Sequence, residues 1–296
     1  MKGWDSKLLY KPYEGYLFIL PWLLGFLIFS LWPMIYSIIL AFSEYSIFAP
    51  MKFNGIANFR EMFSEDKQFI DSLKVTVYYV VLSVPIRMVA ALLVAIILNQ
   101  KLRGISVYRT VYYLPSIVGS GVAMSVAWRM FLCRDGLPNV LLSYIGLGPF
   151  DFITSPDLGM GTLAMISAWQ FGAAMVIFLA GLKAIPAELY EAARVDGSSR
   201  VQQFFKITIP LLSPTIFFNL VMSIIGSFQV FTQAFVITEG GPAYTTYVYV
   251  LYLYRTAFEN FRMGYSSALA WILTIIVMGL TVIMFRTSNK WVYYES

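Results

Sequence analysis

The sequence predicts an all-α integral membrane protein with six transmembrane helices, and three observations carry that prediction. Hydrophobic residues make up 59% of the 296-residue chain and charged residues only 12%, with a mean hydropathy of +0.70. Soluble domains carry about 25% charged residues, so lipid is expected to cover much of this surface. Six apolar runs, at 16–42, 73–98, 108–132, 161–182, 213–237 and 265–285, each reach the roughly 20 residues needed to cross a hydrocarbon core. The Lys and Arg flank these runs instead of clustering. Despite a formal net charge of +5, that pattern speaks of membrane orientation and against nucleic acid.

Taken in order, the first run is too long for the apolar segment of a cleaved signal peptide, and no small-residue cleavage site follows it. It is expected to stay as a span. Lipid offers the backbone no hydrogen-bond partner, so every run is expected to be helical. Pro21, Pro33, Pro85 and Pro115 lie inside runs and are expected to kink them. Six spans leave both termini on one side. That side collects Lys2, Lys7 and Lys11, then Lys101, Arg103 and Arg109, then Lys183, Arg194, Arg200 and Lys206, and finally Arg286 and Lys290. These outnumber the Lys and Arg opposite, so the positive-inside rule puts both termini and the 183–212 loop in the cytoplasm, beneath a cell membrane. The connection at 43–72 reads as a polar outer loop and that at 133–160 as a Gly- and Pro-rich one. The division is therefore 1–72 for the N-terminal arm, first span and outer loop, 73–286 for the membrane core, and 287–296 for a cytoplasmic tail.

The 183–212 loop is the most informative stretch. Pro186 suits a first helical turn, Ala187 to Val195 are mostly good helix formers, and Gly197 is a fitting stop. Glu188 and Glu191 fall in early turns, where the helix dipole favours negative charge. Ala192 and Ala193 give one small face that another backbone can approach. Pro210 and Pro214 then set the re-entry into the membrane. An amphipathic helix lying on the bilayer is the plain alternative, but such helices are usually lysine-rich opposite bulky apolar residues.

The pattern Glu191-Ala192-Ala193, three residues, Gly197, nine residues, Ile207-Thr208-Ile209-Pro210 resembles the cytoplasmic coupling loop of permease subunits in binding-protein-dependent ABC importers. Its one departure is Ile209, where the family usually has Leu. Ala168-Trp169 and Gly181-Leu182-Lys183-Ala184-Ile185-Pro186 before the loop resemble carbohydrate-type members, as do Thr238-Glu239-Gly240-Gly241-Pro242 and Gly264-Tyr265-Ser266-Ser267-Ala268 after it. The likeness covers residues 10 to 290 and is greater to the larger partner of the maltose-type pair, without its long periplasmic insertion. It implies a type I ABC importer fold in which five core helices form half of a pore and the first span wraps a neighbour. It also implies a second homologous permease, two ATPase subunits, an extracytoplasmic sugar-binding protein and a sugar substrate. No cofactor is then expected on this chain, ATP and Mg being bound by the ATPase. Glu188, Glu191, Ala192, Ala193, Asp196, Gly197, Ile207 and Pro210 are the residues expected to couple to it.

Sugars are recognised by aromatic faces and by amide or hydroxyl groups, and polar groups near mid-membrane are seldom accidental. Trp169 and Gln170 on the fourth run and Ser223, Ser227, Phe228 and Gln229 on the fifth are therefore substrate candidates. Ser223, Ser227 and Gln229 are expected near one helical face, with Gln233 four residues beyond Gln229. By resemblance, Ser223 and Ser227 match sugar-contacting positions, and Trp169 and Gln170 adjoin such positions. The asparagines of the maltose-type member are absent, so its substrate does not transfer. Each polar residue could equally make an interhelical hydrogen bond worth about 0.6 kcal/mol. Arg87 lies near the centre of the second run, where Arg costs about 2.5–3.5 kcal/mol. No Asp or Glu occupies the centre of any run. Arg87 could bond helix carbonyls, an acid at a span end or a partner subunit; alternatively it faces the pathway and favours an anionic sugar such as a uronate or phosphate ester.

Other classes fit less well. There is no histidine, one cysteine (Cys133), no Gly-rich loop followed by Lys-Ser/Thr and no paired carboxylates, which argues against an enzyme and against a metal site. A self-contained secondary carrier remains the alternative, although such proteins commonly show internal repeats or intramembrane carboxylates, and neither occurs here.

Overall fold

The computed structural model describes residues 12–100, 104–119 and 121–293. Lys2, Lys7, Lys11, Lys101 and Arg103, which contribute to the orientation, lie outside the described residues. The chain divides into two compact units, one of residues up to Glu65 with Thr256–Ile272, the other of Asp66–Arg255 with residues from Leu273 onward. Four helical stretches are long and apolar enough to cross a membrane, and two bent helix pairs bring the number to six.

In the first unit, α1 (Pro12–Phe26), a π-helical turn (Leu27–Leu31) and α2 (Trp32–Ala41) follow one another. The wide turn sits just before Pro33, which has no N–H to offer the carbonyl four residues back. Phe18 is 83% exposed and Phe29 80%, so this span has no burial of its own and needs lipid or another chain around it. The 43–72 connection, expected as a loop, is instead an antiparallel hairpin, β1 (Ser43–Ser46) with β2 (Ala49–Phe53), followed by α3 (Ala57–Ser64). Buried Asn58 fixes it by donating to the carbonyls of Ala41 (2.9 Å) and Ser43 (3.0 Å). Arg262 pairs with Glu61 at 2.6 Å, and the Trp271 indole N–H donates to the Ser37 hydroxyl of α2.

The second unit is built on α4 (Lys67–Leu98), a 32-residue helix that passes through Pro85 without a break. Asp66 caps it, accepting from the Phe69 N–H at 3.1 Å, and also accepts a hydrogen bond from the Tyr252 hydroxyl. Small residues on one side, Ser72, Thr76, Ser83, Ala91 and Ala95, are fully buried and let other helices approach closely. The third run is divided into α5 (Ile105–Val118) and α6 (Val122–Phe131), with Pro115, Gly119 and Gly121 around the division. The 133–160 connection holds α7 (Leu137–Ser143), and Asn139 clasps the backbone of Phe150 in both directions (2.8 and 2.9 Å).

The fourth run is α8 (Gly159–Trp169) and α9 (Gly172–Ala184), bent by 48° at Gln170 and Phe171. After α10 (Ala187–Val195) and α11 (Arg200–Gln203) comes a second π-helical turn (Phe204–Thr208), again just before a proline, Pro210. Then α12 (Ile209–Phe228) completes a continuous 29-residue helical stretch from Arg200. The fifth span thus starts well before residue 213 and ends at Phe228, not 237. Residues Gln229–Phe231 leave the helix, and a π-helical segment (Ala234–Thr238) follows. Pro210 and Pro214 consequently sit inside a helix instead of opening one. The chain ends with α13 (Tyr249–Phe258) and α14 (Met263–Ser288). The α4–α9–α12 core is apolar: Ala91, Ala95 and Leu98 pack on Met175, Phe178, Leu182 and Leu212.

Candidate functional site

Two regions of the second unit carry the candidate residues. The first is α10 together with the chain from Asp196 to the base of α12. No residue of α10 is buried, and Val195 is 88% exposed. Pro186 serves as its N-cap, one position earlier than expected. Its C-terminus closes on Gly197 at φ +74°, with the Gly197 N–H on the Arg194 carbonyl (3.1 Å) and the Ser198 N–H on that of Ala193 (2.8 Å). This paired bonding requires the left-handed conformation that glycine adopts without strain. The Ser199 hydroxyl and Gln202 side chain then form a capping box that restarts the helix. The Tyr190 hydroxyl hydrogen-bonds Thr208 Oγ1 at 2.9 Å, tying the free-standing helix to the base of α12. Glu188, Glu191, Ala192, Asp196 and Gly197 are exposed, Ala193 is half-buried, and Ile207 and Pro210 line a recess at the foot of this element with Leu189.

The second region is a cavity of about 220 Å³ between α4, the bend of the fourth span and the break after α12. Arg87, Tyr79, Ser167, Gln170, Phe231 and Gln233 line it. Arg87 Nη2 donates to Ser167 Oγ at 2.9 Å, so an uncharged hydroxyl holds the guanidinium. Its Nε is buried and has no hydrogen-bond partner among the described residues. Gln170 donates to the Gly119 carbonyl (2.7 Å). The Ser116 hydroxyl supports the neighbouring bend by donating to the Gln170 carbonyl and accepting the Ala173 N–H, both at 3.1 Å. Non-helical backbone at this depth is tolerated where protein or a cavity satisfies it.

Of the substrate candidates, Arg87 and Gln170 reach this cavity. Trp169 turns away, packing edge-on against Trp128 (5.3 Å) beside an apolar recess with Tyr112 and Pro115. Ser223 and Phe228 are buried in helix packing, with Ser223 Oγ 3.9 Å from Met88 Sδ. Ser227 Oγ is buried without a partner among the described residues, and Gln229 is exposed. Ser223 and Ser227 stay together on α12, but the helix stops at Phe228, so Gln229 and Gln233 do not continue their face on it. Tyr79, Ser167 and Phe231 escaped the sequence reading. Tyr79, Ser83 and Arg87 stand four residues apart on α4, and that polar stripe was the available signal.

At the other end of the 229–239 segment, Glu239 adopts φ +55° and is fixed twice. Arg129 Nη1 pairs with its carboxylate at 2.6 Å, and Arg255 Nη2 donates to its carbonyl at 3.0 Å. These bonds orient the Gly240-Gly241-Pro242 turn.

Residues 62–289 match the family described as the binding-protein-dependent transport system inner membrane component. The chain belongs to that family and is a multi-pass ABC importer permease of the sugar-transporting kind. It is 49% identical, over 95% of its length and 92% of the relative's, to the probable ABC transporter permease protein YesP of Bacillus subtilis (strain 168). It is 34% identical, over 94% of its length and 96% of the relative's, to the sn-glycerol-3-phosphate transport system permease protein UgpA of Agrobacterium fabrum (strain C58 / ATCC 33970). Among solved structures, a bacterial ABC transporter involved in import of the acidic polysaccharide alginate superposes with a TM-score of 0.82 at 26% identity, covering 94% of this chain and 96% of that one. A second structure, the alginate transporter in complex with its pentasaccharide-bound periplasmic protein, gives 0.81 at 25% identity and 94% coverage of both chains. These likenesses carry the type I importer fold.

Proposed function

We propose that this chain forms half of the translocation pore of an ATP-driven importer for a sugar bearing negative charge, and that α10 is the element through which an ATPase subunit drives it. The observation that carries the substrate class is Arg87. A half-buried guanidinium with no carboxylate neighbour among the described residues and an orphan Nε is a site still lacking an acceptor. A carboxylate or phosphate on the substrate supplies one, with Gln170 and Phe231 among the residues lining the same cavity. That importers of sn-glycerol-3-phosphate and of alginate occur among its relatives and neighbours is consistent with an anion.

In this reading a second homologous permease completes the pore. An extracytoplasmic binding protein delivers the sugar to the outer loops, including Gly240-Gly241-Pro242. Both termini and α10 are cytoplasmic. Two separate ATPase subunits bind ATP and Mg, close on nucleotide and move α10, and the attached helices switch the cavity between inward and outward access. The test is uptake by the assembled importer carrying Arg87→Gln. An acidic sugar is expected to lose about 10- to 100-fold in uptake efficiency, the worth of one charge-assisted hydrogen bond, while a neutral analogue of the same length changes little. Equal loss of both removes the charge-selectivity reading.

A further inference from the structure

The segment after α14 folds back beside the coupling element, and the reason begins with a proline. In α12 the Pro210 carbonyl would normally accept the N–H of residue 214, but that residue is Pro214 and has none. Ser213, only 4% exposed, donates its hydroxyl to that orphan carbonyl at 2.6 Å. The same hydroxyl oxygen accepts the backbone N–H of Tyr293 at 2.8 Å. Beyond α14 the chain turns back through the Trp291 and Val292 N–H bonds to the Ser288 carbonyl (3.0 and 2.8 Å). Val292 is then buried against Phe217 and Val221. Trp291 meets the Phe217 ring edge-on at 5.9 Å. Tyr293 lines a recess of about 330 Å³ together with Leu189 of α10 and Lys206, Ile207 and Pro210.

We infer that Trp291–Tyr293 is a positioning hook for coupling. It clamps the end of α14 to the base of α12 at the point where α10 is mounted, so that motion of α10 reaches both helices together. A lever is only as effective as its mount, and the Tyr190–Thr208 hydroxyl contact ties α10 to the base of α12. The hook adds a second mount from the far end of the chain. Ser213, Val292 and the Tyr293 amide are positioning groups in this arrangement and contact no substrate.

The inference rests on the reading of α10 as the lever, so its test carries a lever variant alongside. The complete importer is reconstituted in vesicles with its binding protein, and sugar uptake and ATP hydrolysis are measured on the same preparation. Ser213→Ala and Tyr293→Pro each delete one partner of the hook bond, whereas Ser213→Thr keeps the hydroxyl and Tyr293→Ala keeps the backbone N–H. The deletions are expected to lower sugar moved per ATP about fivefold, the factor for one hydrogen bond of about 1 kcal/mol, with hydrolysis within twofold of the parent. The two retaining variants are expected to stay closer to the parent ratio. Hydrogen exchange at the Tyr293 amide is expected to quicken in Ser213→Ala. A parent-like ratio in both deletions, or a fall of uptake and hydrolysis in equal proportion, overturns the hook. If Gly197→Pro uncouples while the deletions do not, the lever stands and the hook falls; if none of the three uncouples, both fall.

Discussion

Arg87 shows how much a single side chain can say when its neighbours are known. Its charge alone left carbonyls, an acid or a partner subunit as possible contacts. The bond to Ser167 shows that a hydroxyl holds one arm of the guanidinium, with Nε unused among the described residues, and the proposed anionic cargo builds on that. A lysine at this position keeps the charge but loses the planar fork. Arg87→Lys is accordingly expected to restore only part of the acidic-sugar uptake lost in Arg87→Gln, read from paired uptake curves. Asp66 makes a different kind of contribution, capping the longest helix and receiving the Tyr252 hydroxyl. Asp66→Ala is expected to destabilise the protein by about 1–2 kcal/mol, seen as a lower melting temperature in detergent. Both residues were visible in the sequence, but only Arg87 was singled out. Ser167, which defines its geometry, was hidden because a serine in an apolar run has no distinguishing period.

At the level of elements, the positions of the spans were legible and their interruptions were not. Hydropathy sums over a window, so it locates 161–182 as apolar without registering that the helix axis turns at Gln170 and Phe171. The turn is set by tertiary contacts, above all the Ser116 hydroxyl and the closeness permitted by Gly172. A Cβ on Gly172 would lie 2.6 Å from the Tyr112 carbonyl oxygen and 2.7 Å from Ser116 Oγ. Gly172→Ala is therefore expected to cost about 1–3 kcal/mol and to reduce the folded yield in detergent, whereas Gly161→Ala, with open space around it, is expected to be neutral. Helix α10 was legible almost to the residue, because helix starts and stops are local chemistry: Pro186 and Gly197 act within a few positions. The break after Phe228 was missed for the opposite reason. Nothing in Gln229-Val230-Phe231 marks a helix end, and its consequence, the separation of Gln229 from Gln233, needed the tertiary structure.

For the molecule as a whole, the largely exposed first span and the exposed α10 leave surface for lipid or another chain to cover. Gly197→Pro or Glu191→Lys is expected to leave membrane insertion intact and abolish uptake by the assembled importer, with normal uptake in both counting against the proposed drive. A further consequence lies in the stretch from Arg200 to Phe228, whose 29 residues make a rod of about 44 Å. The Tyr190–Thr208 tie meets it a few turns in from Arg200, and its other end stops at the edge of the Arg87 chamber. A shaft of that kind conducts in both directions, since the influence of one binding event on another is thermodynamically mutual. On the proposed drive, cargo bound at the far end should therefore change how tightly an ATPase partner holds its nucleotide.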